Sequence, residues 1–164
     1  MRKYQHIRFT KFLQRIAFTF IFAEGIIGGL LAQTNTTIEG WKLFKNVKFT
    51  PKYIEEFGGE VLHPFFTDDI KAYEGRKVRL KGYVMPFDYT GKDMIVLSRF
   101  PYDQCFFCGM AGPETVAEVY PTEKITYEEY RKPIIMEGVL ELNDHDIQYM
   151  NFILREAYIV DASQ

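Results

Sequence analysis

Lys77-Val78-Arg79-Leu80-Lys81-Gly82-Tyr83-Val84-Met85 is the stretch on which the fold turns. Val78, Leu80, Gly82 and Val84 fall on one face, and Arg79, Lys81, Tyr83 and Met85 on the other. A period of two residues is the mark of a strand with one buried and one wet side. Pro86 has no amide hydrogen to give a ladder and breaks or bends the strand. Downstream, the same signals predict strands over Met94–Phe100, Thr115–Tyr120, Ile134–Leu142 and Phe152–Val160, with one or two helical turns over Tyr127–Lys132. Thr90-Gly91-Lys92-Asp93 reads as a hairpin-type connection, and Asn143-Asp144-His145-Asp146 as a turn-prone connector.

Five strands with a short helix between the third and fourth is the order of an OB-type barrel. The expected fold is therefore mainly β: a small five-stranded OB-like antiparallel barrel with one or two short helices and an extra N-terminal strand or hairpin. Upstream, Trp41–Phe49 reads as a first strand limited by Pro51, and Gly58-Gly59 as a turn leading into a returning strand at Glu60–His63. Thr67-Asp68-Asp69-Ile70 predicts a helix start, with Gly75 as its stop. The absence of long helical patterns and of a Gly-rich phosphate loop excludes a Rossmann-like domain.

The N-terminus predicts export. Arg2, Lys3, Arg8, Lys11 and Arg15 precede or open an apolar run from Ile16 to Ala32 that only Glu24 interrupts. That is a positive region, an apolar region and a small residue at a cut, the layout of a signal peptide. Residues 1–32 are expected to be a signal peptide cut after Ala32, or an N-terminal anchor if uncut, since a run of about 17 residues is at the short end of what spans a membrane. Residues 33–40 read as a flexible entry segment and residues 41–164 as a single OB-like domain. The expected location is the periplasm or cell envelope, with membrane contact only through the N-terminal segment.

Charge narrows the partners. The chain holds 20 basic and 22 acidic residues. Residues 1–32 take five and one of these, leaving 15 against 21 and a net charge near −6. Such a surface repels polyphosphate, so no nucleic-acid partner is expected despite the OB-like order. No Ser/His/Asp order, paired-carboxylate motif or HExxH helix is present, so hydrolase chemistry has no visible nucleophile or base and no catalytic residue is assigned.

The chemistry concentrates at Cys105-Phe106-Phe107-Cys108-Gly109-Met110-Ala111-Gly112-Pro113, which holds both cysteines. Two sulfurs at this spacing can chelate a soft metal, cycle between dithiol and disulfide, or stay joined as a staple. In an oxidising compartment a structural Cys105–Cys108 disulfide is the default, worth only about 2 kcal/mol for so short a ring. Zinc would need four donors, for which His63, His145 and Asp103 are the available partners. A copper site would add the Met110 thioether. In Asp144-His145-Asp146 two carboxylates flank an imidazole, a set that could bind a divalent cation and that also suits a solvated hairpin tip, and His63 suits a half-buried histidine.

Glu74-Gly75-Arg76-Lys77-Val78-Arg79-Leu80-Lys81-Gly82-Tyr83-Val84-Met85-Pro86, then Ile95-Val96-Leu97, then the Cys105–Pro113 loop, resembles a bacterial exported family, domain-of-unknown-function family 3299. The resemblance covers about residues 68–160. It rests on a Gly-Tyr-x-x-Pro strand and a Cys-containing, Pro-rich loop, here with Gly109-Met110-Ala111-Gly112-Pro113 in place of a longer proline run. It implies an envelope location and brings no established activity. Members near metal-transport genes hint at metal handling, or at a partner from a transport system. The expectation is a non-catalytic binding module with the CxxC loop as its candidate metal link, and a thiol-disulfide accessory protein as the alternative.

Overall fold

The computed structural model describes residues 38–87 and 93–161. The expected signal segment, the first part of the entry segment, and all of the Thr90–Asp93 connection except Asp93 lie outside the described residues. In chain order the elements are β1 (Ile38–Glu39), α1 (Gly40–Phe44), β2 (Lys48–Ile54), β3 (Gly59–Phe65), α2 (Asp68–Lys71), β4 (Lys77–Val84) and β5 (Ile95–Ser98). Three single 3-10 turns follow, then β6 (Val116–Pro121), α3 (Tyr127–Tyr130), β7 (Ile134–Leu142) and β8 (Phe152–Ile159).

Strands β4, β5, β6, β8 and β7 bond in that order, and β7 returns to β4 to close the barrel. This is the five-stranded arrangement expected, with α3 between the third and fourth barrel strands. The closure is mixed: β6 and β8 run parallel, while the other four barrel pairs are antiparallel. The parallel pair arises because β7 crosses over to lie beside β4, which leaves β8 to fill the gap next to β6. β1 bonds to β4 from outside the barrel, in parallel, through Ile38↔Val78 and Glu39↔Arg79.

Alternation places the core as the sequence indicated. Val78, Leu80 and Val84 of β4, Ile95 and Leu97 of β5, Ala117 and Val119 of β6, and Met136 and Leu140 of β7 join one buried cluster. Small closed sheets fill their interior with side chains in this way. Gly82 is where β4 changes partners. Its pairing with β7 ends at Gly82↔Ile134, and its pairing with β5 begins at Tyr83↔Ser98. A Cβ on Gly82 would stand 2.3 Å from the Ser98 carbonyl oxygen, so only glycine lets the two backbones approach.

The first element is a correction. Gly40–Phe44 is a helical turn, not the opening of a strand, and the strand starts at Lys48. Trp41 and Phe44, three residues apart, are both buried in the barrel cluster, the spacing of a helix face. The apparent alternation of Trp41–Phe49 mixed that face with the first residues of β2. Phe44 stacks on Phe152 at 3.9 Å between ring centroids, and Phe49 and Phe66 meet the same ring edge-on. Trp41 Nε1 donates to the Lys81 carbonyl at 2.8 Å, pinning α1 beside the strand switch at Gly82.

The hairpin at Gly58-Gly59 forms as read, but between β2 and β3, a separate two-stranded sheet. Pro51 lies inside β2 rather than ending it. Proline is tolerated there because each strand of a two-stranded ribbon has an unpaired edge. Ile38–Glu39, expected within the flexible entry segment, is instead held by β4.

Candidate functional site

The outer face of β5 and β6 is the place to start, since OB folds present this face to ligands. Here the chain covers it with its own loop. Val96 and Val116 project outward from the two strands and form a second buried cluster with Met85, Met94 and Cys105. Phe87, Phe106, Tyr120 and Met150 pack around it. Cys105 is fully buried in this cluster, so the first cysteine anchors the loop to the barrel wall.

The loop turns tightly after that anchor. Cys105 precedes a 3-10 turn at Phe106–Cys108, and Gly109 ends it with φ of 72°. That left-handed conformation is why a glycine stands there. The amides of Cys108 and Met110 both donate to the Cys105 carbonyl, at 3.2 and 3.4 Å. Cys108 is exposed, and its thiol donates to the Tyr102 carbonyl at 3.0 Å. Both cysteines stand as free thiols. Desolvation, then hydrogen bonding and charge interaction with Cys105, then the charge of Asp103 push the Cys108 thiol above its ordinary value. A thiol-exchange nucleophile needs the opposite shift, which a helix N-terminus supplies and a three-residue turn does not.

The donors expected for a metal come from three segments of the chain. His63 is on β3, His145 is in the β7–β8 connection, and Met110 is 71% exposed at the loop tip. Among the described residues no group of three His, Cys, Asp or Glu side chains could hold a metal ion. The cysteine turn supplies two thiols where a structural zinc needs four donors. His145 sits beside Asp144, with Nδ1 3.5 Å from Oδ1, on an exposed tip. That tip is built by Asn143. Its Oδ1 accepts the amides of His145 and Asp146 at 3.3 and 3.0 Å, and its Nδ2 donates to the carbonyls of Asp146, Tyr149 and Met150. Asn143 is the organiser of a connector in which sequence reading picked out only His145 and its flanking carboxylates.

A groove opens where this connector, the cysteine loop and the hairpin meet. Its volume is about 360 Å³. Val61 and Leu62 of β3 form one wall, Phe106, Phe107 and Pro113 of the cysteine loop another, and Ile147, Met150 and Asn151 the third, over Val116. Leu62, Phe107 and Ile147 remain exposed, each with at least 40% of its surface in water. Small-molecule and peptide sites have this character, an apolar concavity with few polar groups. Sequence reading missed the groove because its walls come from three segments far apart in the chain.

Beneath it lies an unexpected buried carboxylate. Glu118, only 3% exposed, stands in β6 between apolar neighbours. It accepts the Tyr120 hydroxyl at 2.5 Å and the Met150 amide at 3.0 Å. Burial, then the hydrogen bond to Glu118, pushes the Tyr120 hydroxyl above its usual range. The Arg155 guanidinium lies 4.0 Å over the Tyr120 ring and is bonded through Nε and Nη2 to Glu141, at 2.7 and 3.2 Å. This network ties the β7–β8 connector to the barrel wall. The signal for it was visible: one charged residue inside Val116-Ala117-Glu118-Val119-Tyr120.

No family model matches the chain, and no curated protein matches it. Among solved structures the chain is similar to the crystal structure of a DUF3299 family protein from Pseudomonas aeruginosa PAO1. The likeness has a TM-score of 0.43 and 14% identity, over 60% of this chain and 68% of that one. The residues of the Gly82-Tyr83 strand and the cysteine loop resemble that same family.

Proposed function

We propose that the chain is a non-catalytic binding module of a bacterial-type cell envelope, delivered there by residues 1–32, that takes its ligand in the groove beside the cysteine loop. The observation that carries this reading is the convergence of exposed Leu62, Phe107 and Ile147 on one concave surface of about 360 Å³. Isolated exposed apolar residues are ordinary, but three that line one groove mark an interaction site. The acidic balance of the chain argues for a ligand other than nucleic acid.

The test is titration of the purified domain with Nile red, a neutral apolar dye. One saturable site is expected, lost in Leu62→Asp and Phe107→Asp and kept in Tyr127→Asp, whose ring is exposed on α3 and outside the groove. Equal loss in all three, or none in any, removes the groove from the account. Metal analysis of the same preparation tests the zinc or copper expectation. Stoichiometric metal that disappears in the Cys105→Ser, Cys108→Ser double variant would move the binding function from the groove to the cysteine pair.

A further inference from the structure

We infer that the groove receives an extended, cationic-apolar peptide segment that adds to the free edge of β3; this rests on the binding reading above and names its partner class. The first argument is geometric. Consecutive residues of a strand point to opposite faces. Val61 and Leu62 are consecutive in β3, yet both line the groove. The groove therefore runs along the edge of β3 rather than over one of its faces. One edge of β3 is occupied by β2, through pairs from Lys48↔Phe65 to Ile54↔Gly59. Among the described residues β3 has no strand on its other side. An edge with unpaired amides and carbonyls beside an apolar concavity is the arrangement that accepts an added strand: the main chain bonds the edge, and alternate side chains enter the groove.

The second argument is charge. Glu60 precedes Val61, Glu114 follows Pro113, and Asp146 precedes Ile147, so each wall carries an acid next to a lining residue. Lys52, paired with Val61 across the β2–β3 ladder, sets one cation against these three acids, so the balance of charge beside the lining residues is negative. An apolar groove with an acidic rim complements a segment whose apolar side chains alternate with cationic ones. A volume of about 360 Å³ holds two or three such apolar side chains.

The experiment uses a capped heptapeptide in which lysine alternates with leucine and valine, titrated by calorimetry against the purified protein. Serine-for-lysine, glutamate-for-lysine and alternately N-methylated versions complete the set. The lysine peptide is expected to bind one to one, at least tenfold tighter than the glutamate and serine versions. Its affinity should fall about tenfold in Glu60→Lys and on raising salt from about 50 to 500 mM, since rim charges are screened. N-methylation should abolish binding, because it removes the edge hydrogen bonds and leaves the charge. Equal binding of the serine and lysine peptides would overturn the cationic class. Equal binding of the N-methylated peptide would overturn edge addition. Failure of every peptide while Nile red still binds would overturn this inference and leave the groove standing, whereas failure of both probes would end both readings.

Discussion

Replacing Gly82 with alanine tests the closure of the barrel at its tightest point. The added Cβ would lie 2.3 Å from the Ser98 oxygen, 3.0 Å from its carbonyl carbon and 3.2 Å from Leu97 Cγ. Two of these three atoms are backbone, so no rotamer change relieves the clash. To reach even 3.0 Å from the oxygen, β4 and β5 must part by about 0.7 Å, and those strands share only the register pairs Tyr83↔Ser98 and Val84↔Leu97. Forcing a methyl into a packed site costs about 1–3 kcal/mol. Removing glycine's extra freedom from the unfolded chain returns about 0.4–1 kcal/mol. The upper half of the clash range applies because backbone must move, so a net loss of about 2 kcal/mol is expected. Urea unfolding followed by Trp41 fluorescence reads it directly, since Trp41 Nε1 is bonded to Lys81 next to the substitution. Gly59→Ala is the control: its Cβ would meet only Phe57, at an ordinary 3.7 Å, and it should be neutral or slightly stabilising. A Gly82→Ala variant within about 0.5 kcal/mol of the parent would refute the strand switch at Gly82.

Four further outcomes are expected. Glu156 holds a φ of 51°, so Glu156→Gly should stabilise by up to about 1 kcal/mol in urea unfolding, while a β-branched residue there should destabilise. Asn143→Ala removes five hydrogen bonds that shape the β7–β8 connector, and should cost about 2–3 kcal/mol and weaken Nile red binding by freeing Ile147. Burial acts to raise the pKa of Glu137, but hydrogen bonds from Tyr158 and Arg79 and the charges of Arg79 and Lys77 outweigh it and hold the carboxyl below 4.5. Because its folded pKa is depressed, its stabilisation is present above the unfolded value and lost as pH falls through the folded one; the acid limb below about pH 4.5 should be shallower in Glu137→Gln, by unfolding free energy measured from pH 6 to 2. Cys108 should alkylate with iodoacetamide more slowly than free cysteine at pH 8 and accelerate above pH 9, while buried Cys105 should stay protected until the domain unfolds.

The barrel was legible because β4 alternates cleanly and because β4, β6 and β7 each end at a proline or an Asn/Asp cluster. Ile134–Leu142 has the bounds read from sequence, since its inward and outward residues leave no other register. Trp41–Phe49 was misread because a five-residue helix joined to a strand imitates alternation over so short a span. The parallel β6–β8 pair has no local signal at all, since it follows from which strand is left to close the gap. At the site, Cys105 and Cys108 stood out by residue type, but their unequal burial depends on Val96 and Val116 projecting from strands elsewhere in the chain. His63 and His145 were offered as ligands because they are the histidines of the proposed mature domain, and rarity in a sequence says nothing about proximity in space. Leu62, Phe107 and Ile147 carried no distinguishing mark as residues, and the fold alone brings them together.

The proposed binding surface is the groove beside the cysteine loop, which itself covers the β5–β6 face. Amide chemical-shift mapping of the isotopically labelled domain during Nile red titration tests it most directly. Saturable shifts are expected at Val61, Leu62, Phe106, Phe107 and Ile147, with Lys124, Ile125 and Tyr130 unmoved. Shifts centred on Lys124–Tyr130, or a response that spreads over the whole barrel without saturating, would contradict it.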